Sequence, residues 1–158
     1  MDSGTLTILQ DTLTIKADDK NAVYGNNINY SSVITGLHYD DSLAGISTGA
    51  ITYTAIDANN NTVPAPVPAG NFSIVPSGLN LITPSDYIVN YLSGDLTITK
   101  AQLIAKADSL TRVYGDPNPP LTITYSGFVN GDDKNDIVEP ALLQLLYPPP
   151  ISGITPLR

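Results

Sequence analysis

Short segments in which apolar residues alternate with threonine or serine recur along this chain. In residues 96–99, for example, Leu96 and Ile98 lie on one side of an extended chain and two threonines lie on the other. This period of two is typical of a strand with one buried face. We therefore predict strands at residues 6–8, 13–17, 51–54, 71–75, 87–91, 96–99 and 121–125.

Clusters of Asp, Asn, Ser, Gly and Pro separate these segments, and such clusters are typical of turns. The predicted turns are residues 57–61, 76–78, 93–95 and 130–133, and residues 40–44 have the composition to cap one short helical turn. The fold class is therefore predicted to be mainly β. We expect small β-grasp-like or β-sandwich repeat domains in tandem, with at most a short helix per unit.

The chain repeats itself with a period of about 90 residues. Residues 3–25 and 93–115 align without a gap, and twelve of the 23 aligned positions are identical. After a slip of one residue, Gly36 aligns with Gly127 and Asp41 with Asp132. A period of this length is too long for a solenoid unit and favours a string of small domains.

The alignment also predicts where the domains begin and end. Residues 1–10 correspond to residues 91–100, so we expect them to be the closing strand of a preceding repeat. Residues 11–100 are then one complete repeat, and residues 101–139 are the start of a second. Residues 140–158 form an atypical tail.

Six residues are expected to serve the architecture of the repeat. A Tyr-Gly pair ends a predicted strand in both copies, where the glycine suits a turn with positive φ and the tyrosine suits the edge of a core. A Gly-Phe pair in the second copy aligns with Gly-Leu in the first. These structural motif residues are Tyr24, Gly25, Tyr114, Gly115, Gly127 and Phe128.

The charge of the chain narrows the classes of partner. It has 7 Lys and Arg against 15 Asp and Glu, a formal net charge of −8. Binding to nucleic acid or to an anionic membrane needs clustered basic residues, so we expect neither. No apolar run is long enough to insert into a membrane, and the first residues do not have the pattern of a signal peptide. The absence of cysteine excludes disulfides and thiolate chemistry.

One histidine is the first candidate for chemistry. His38 lies beside Tyr39, Asp40 and Asp41, a setting in which it could serve as a general base or a metal ligand. It aligns with Val129 in the second copy, so chemistry shared by the copies does not need an imidazole there. We favour an exposed loop histidine.

Two acidic segments are candidates for binding a cation. Residues 57–62 have oxygen-bearing side chains at alternate positions, as a calcium loop would, but the expected glycine and the closing glutamate are missing. We favour a solvated hairpin turn there, and a solvated loop or helix cap at residues 132–136. We therefore predict no catalytic residue, no metal site, no cofactor and no enzymatic activity.

Residues 113–119, which read Val-Tyr-Gly-Asp-Pro-Asn-Pro, and residues 121–132 resemble the MBG domain of the YGX type. The closing segment 94–101 resembles it too, and the resemblance covers residues 4–138. It implies small domains that occur in tandem in very large extracellular and cell-surface bacterial proteins, many of them adhesin-like. It also implies kinship with modules that accompany mucin-binding domains, some of which have a ubiquitin-like β-grasp fold.

The resemblance implies a non-catalytic structural or spacer repeat of a large bacterial surface or secreted adhesin-like protein. The expected location is extracellular or on the bacterial cell surface, and the expected partners are neighbouring repeats of the same chain. The alternative is a ligand-binding module that recognises host glycans or glycoproteins, for which exposed tyrosines would provide stacking faces.

The tail departs from the pattern of the repeat. Residues 141–147 are mostly apolar and three prolines follow at 148–150. One interpretation is a short buried segment followed by a polyproline linker. The other is a shift of reading frame, because a neighbouring frame can spell a strand that resembles residues 69–74. Both interpretations stay open.

Overall fold

The computed structural model describes residues 4–82 and 86–137. The chain divides into two compact units, residues 1–101, called unit 1, and residues 102–158, called unit 2. This division lies one residue from the boundary between repeats that the alignment predicts. The assignment of residues 1–10 to a preceding repeat stays a prediction.

Short strands are the main regular structure of the described residues, which also contain one short α-helix. This confirms the predicted mainly β class. Unit 1 contains β1 (Asp11–Ala17), β2 (Lys20–Val23), β3 (Ser32–Thr35), α1 (Leu43–Ile46), β4 (Ser47–Thr48), β5 (Thr52–Ile56), β6 (Gly70–Ser77), β7 (Asn80–Leu81), β8 (Tyr87–Leu92) and β9 (Gly94–Thr99). The described part of unit 2 contains β10 (Ile104–Ala107), β11 (Ile123–Ser126) and a 3₁₀ turn (Lys134–Asp136).

The strands of unit 1 form two main sheets. One has the order β3-β1-β8, with β1 antiparallel to β3 and parallel to β8. The other has the order β2-β9-β6-β5, with β9 parallel to β2 and antiparallel to β6. A small antiparallel pair, β4 with β7, completes the unit. The last two strands of the unit therefore return to pair with its first two.

The core of unit 1 consists of two apolar clusters. In β1, Leu13 and Ile15 belong to one cluster and Ala17 to the other, and all three side chains are fully buried. The first cluster also contains Tyr87 of β8, and the second contains Leu96 of β9. The alternating pattern of β1 thus supplies side chains to both clusters, and β8 and β9 cover them.

Unit 2 begins with the same antiparallel pair of strands that β1 and β3 form in unit 1. β10 pairs antiparallel with β11. Adding 90 to the residue numbers of β1 and 91 to those of β3 gives the pairing in unit 2. Ala17, for example, pairs with Ser32 in unit 1, and Ala107 pairs with Ile123 in unit 2. The burial differs, because every residue of β10 is exposed.

Several local predictions need correction. Residues 6–8 are not a strand, and Leu6 and Ile8 are exposed. A strand needs a hydrogen-bonded neighbour, and none pairs with this segment within the part of the chain that the structure describes. Residues 94–95, predicted as a turn, begin β9 because Gly94 already pairs with β6. The alternatives for residues 140–158 lie outside the described residues.

The core assignment predicts a large difference between two equivalent leucines. We expect Leu13→Ala to lower the free energy of unfolding of unit 1 by about 2–5 kcal/mol, because it leaves a cavity in a closed cluster. Leu103→Ala is the matched control, since Leu103 occupies the corresponding position in unit 2 and is 42% exposed. It should cost about 0.5 kcal/mol or less. Urea unfolding checks both, and equal losses would contradict the assignment.

Candidate functional site

A groove of about 410 Å³ lies at one end of β1 and β8 in unit 1. Parallel pairing aligns Asp11, the first residue of β1, with Tyr87, the first residue of β8. The loop after β3 brings His38 and Asp41 to the same place. Ile8, Leu9, Tyr39 and Asp86 also line the groove.

Tyr87 fixes the loop that carries the histidine. Its ring is buried in the core, and its hydroxyl donates to Asp41 Oδ2 at 2.7 Å and accepts from the backbone N–H of His38 at 3.1 Å. The hydrogen bond to Asp41 raises the pKa of Tyr87, because it holds the phenolic proton beside a carboxylate. The tyrosine therefore anchors the loop in its neutral form.

His38 is exposed but it is not isolated. Its Nε2 forms a hydrogen bond with Asp11 Oδ2, and both side chains are 56% exposed. The pKa of Asp11 is lowered, first by the hydrogen bond from the backbone N–H of Thr12 and then by the hydrogen bond from His38. The expected exposed loop histidine is therefore found, with a carboxylate partner that its sequence neighbours did not indicate.

The chemistry open to this groove is limited. The described residues that line it include no serine, threonine or lysine that could serve as a nucleophile. Within the described ranges no three His, Asp or Glu side chains are placed to hold a metal ion together. In unit 2, the counterparts of Asp11 and His38 are Ala101 and Val129. The groove can accept hydrogen bonds and offer the exposed ring of Tyr39, but it belongs to one unit alone.

The candidate calcium loop is a hairpin turn. Asp57 Oδ1 accepts from the backbone N–H groups of Asn59 and Asn61, each at 2.8 Å, and Ile56 pairs across the turn with Thr62. The bonds from Asn61 lower the pKa of Asp57. The carboxylate therefore closes the turn that connects β5 to the following segment, which confirms the favoured interpretation.

The second acidic segment is a helix cap, as favoured. Asp133 is the N-cap of the 3₁₀ turn and accepts from the backbone N–H of Asn135 at 2.7 Å. Asp136 Oδ2 in turn accepts from the backbone N–H of Asp133 at 2.8 Å. In this reciprocal capping box both carboxylates accept hydrogen bonds from backbone N–H groups at the start of the turn.

The Tyr-Gly pairs have the same backbone but different surroundings. Gly25 and Gly115 both have φ of 94°, in the region that the sequence predicted for them. Tyr24 packs against the core of unit 1 and its N–H donates to the carbonyl of Thr99 at 2.8 Å, whereas Tyr114 is fully exposed. Since β9 supplies the partner of Tyr24, the difference follows from what covers each unit. A structural role for both pairs stays a prediction.

The Gly-Phe pair marks a close contact that recurs in the two units. A Cβ on Gly127 would collide with the carbonyl oxygen of Gln102, and one on Gly36 would collide with that of Thr12. Both glycines have positive φ, 101° and 97°. Phe128 packs against Tyr125, with ring centroids 6.4 Å apart. Only glycine lets the end of β11 or β3 pass so close to the start of the neighbouring strand.

An aspartate at the other end of the paired strands accepts hydroxyl hydrogen bonds in both units, and we call this contact the aspartate clasp. No sequence prediction included it. Asp108 accepts from the hydroxyl groups of Thr122 at 2.6 Å and Thr124 at 2.8 Å, which lowers its pKa. In unit 1, Asp18 accepts from the hydroxyl of Ser31. The sequence could have indicated this contact, because the aspartate is identical in the two aligned copies.

Comparisons with known proteins agree with the resemblance. A family model described as MBG domain (YGX type) matches residues 13–97 and 103–145, which together make up most of the chain. No curated protein and no solved structure matches the chain. Among the described residues there is no helix with the length and hydropathy of a membrane span.

The hydrogen bonds that Asp11 accepts predict how its carboxyl group titrates. Its folded pKa is below the 3.8 of a free carboxyl group, so its charged form stabilises unit 1 above that pH, and this contribution is lost as the pH falls through the folded pKa. His38→Val should raise the pKa only in part, because the bond from Thr12 remains. Carboxyl ¹³C NMR titration measures this, and an Asp11 pKa of 3.8 or higher in the parent protein would contradict it.

Proposed function

Because the chain belongs to the MBG domain family of the YGX type, we propose that it is a non-catalytic spacer repeat of a large bacterial surface or secreted adhesin-like protein. Domains of this family occur in extracellular surface proteins. The chain then contributes length and stiffness between other parts of the protein, and its partners are the neighbouring repeats.

The observation that carries this proposal is what the two units share. They have the same strand register, the same positive φ at the paired glycines, and a clasp made by the same aspartate. All three features determine or stabilise the conformation of the backbone. The groove with His38 is not shared, since Ala101 and Val129 stand at the corresponding positions. Selection that preserves geometry and lets side-chain chemistry drift is expected of a structural module.

Tandem packing of such units would suit a stiff connection. β9 ends at Thr99 and β10 begins at Ile104, so few residues separate the last strand of unit 1 from the first strand of unit 2. A linker this short restricts how far neighbouring units can swing. The net charge of −8 would favour the solubility of a crowded array.

One observation favours the alternative, a module that binds host glycans or glycoproteins. The groove of unit 1 combines the exposed ring of Tyr39 with the carboxylates of Asp11 and Asp41. An aromatic face beside hydrogen-bond acceptors suits a sugar. Since half of this groove is replaced in unit 2, binding would be a property of one unit and not of the repeat.

Exchanging groove residues for their counterparts separates the two functions. We expect the double variant Asp11→Ala with His38→Val to unfold within about 1 kcal/mol of the parent, because both side chains are exposed. A spacer predicts no saturable binding by either protein on glycan and mucin arrays. Tyr114→Ala is the control, since it removes an exposed tyrosine outside the groove. Saturable binding by the parent that the double variant loses would overturn the spacer proposal.

A further inference from the structure

Residues 4–9 repeat the sequence of β9 without adopting its structure. Four of the six positions are identical, and they are Gly4, Leu6, Thr7 and Ile8. In β9 the two apolar side chains are buried, with Leu96 1% and Ile98 4% exposed, whereas Leu6 is 86% and Ile8 is 85% exposed. The segment therefore has the pattern of a closing strand and presents it to solvent.

Unit 2 presents the complementary edge. In unit 1, β9 pairs in parallel with β2, and Leu96 and Ile98 align with Lys20 and Ala22. The counterpart of β2 is residues 110–113, which belong to no strand in the described part of unit 2. Val113 is 72% exposed there. Among the described residues no strand pairs with residues 110–113, and such an edge beside exposed apolar side chains is a template for an added strand.

The first residue of the segment is a glycine, as the start of β9 requires. A Cβ on Gly94 would lie within 3 Å of the backbone carbonyls of Ala17 and Asp18, so only glycine fits. Residue 4 is also glycine, and the counterparts of Ala17 and Asp18 in unit 2 are Ala107 and Asp108. The close approach that begins β9 can therefore be repeated by Gly4.

We propose that residues 4–9 of one copy of this chain add as a parallel strand along residues 110–113 of a second copy, in the place that β9 takes in unit 1. Leu6 and Ile8 then face Ala107 and the uncovered face of β10, and Leu9 faces outward like Thr99. The occupant is a second copy because the chain's own β9 is already paired in unit 1. The contact is head-to-tail, so it generates rings or open filaments.

Cysteine cross-linking of the full 158-residue chain tests the register. β9 aligns Thr97 with Asn21, so the proposal aligns Thr7 of one copy with Thr111 of the next. The native chain has no cysteine, so the double variant Thr7→Cys with Thr111→Cys should form disulfide-linked dimers and larger species under mild oxidation. Thr5→Cys with Thr111→Cys is the control, because two residues along the strand separate those sulfurs too widely.

Association without cross-links is the second measurement. Leu6→Asp should weaken self-association in sedimentation experiments by at least about tenfold, because it places a charge where an apolar side chain is buried. Leu9→Asp is the matched control and should associate like the parent. Both side chains are more than 80% exposed in the single chain, so neither variant should alter the unfolding of unit 1.

Each outcome of these two experiments either supports or overturns the proposal. Cross-linked oligomers from the 7/111 pair, together with a selective loss of association in Leu6→Asp, support the proposal. A chain that stays monomeric up to millimolar concentration overturns it. Equal cross-linking of the 5/111 pair, a disulfide within a single chain, or equal weakening by Leu6→Asp and Leu9→Asp also overturns it.

Discussion

The pairing of β1 on both of its edges is the constraint on which unit 1 depends. Antiparallel pairing with β3 is local, but parallel pairing with β8 joins segments that are far apart in the sequence. Together they place Leu13, Ile15 and Ala17 at zero exposure. β9 does the same for β2, so the unit closes only when its last two strands return. In the described part of unit 2, β10 and β11 have the same register, and no further strand pairs with them.

Patterns that depend on near neighbours could be predicted from the sequence. Alternation gave the positions of β1, β5, β6, β8 and most of β9, because a half-buried strand needs only a period of two. The positive φ of Gly25 and Gly115 and the cap formed by Asp133 also follow from local chemistry. The internal repeat extended these predictions from one unit to the other.

Features that depend on distant pairing could not be predicted in this way. β2 and β3 are short and carry no strong alternation, and they become strands because β9 and β1 lie beside them. The cluster of Asp11, His38 and Tyr87 exists because parallel pairing brings the starts of two strands together. Residues 6–8 show the reverse case, since they have the pattern of a strand but pair with no strand among residues 4–82 and 86–137.

Amide hydrogen exchange at a concentration where the chain is monomeric tests the dependence on closing strands most directly. Residues 14–17 and 104–107 have equivalent places in the same antiparallel pair of strands, so local structure alone would protect them equally. Closure by β8 and β9 predicts that the first set exchanges only when unit 1 unfolds, and that the second exchanges at least about 100-fold faster. Equal protection of the two sets would contradict it.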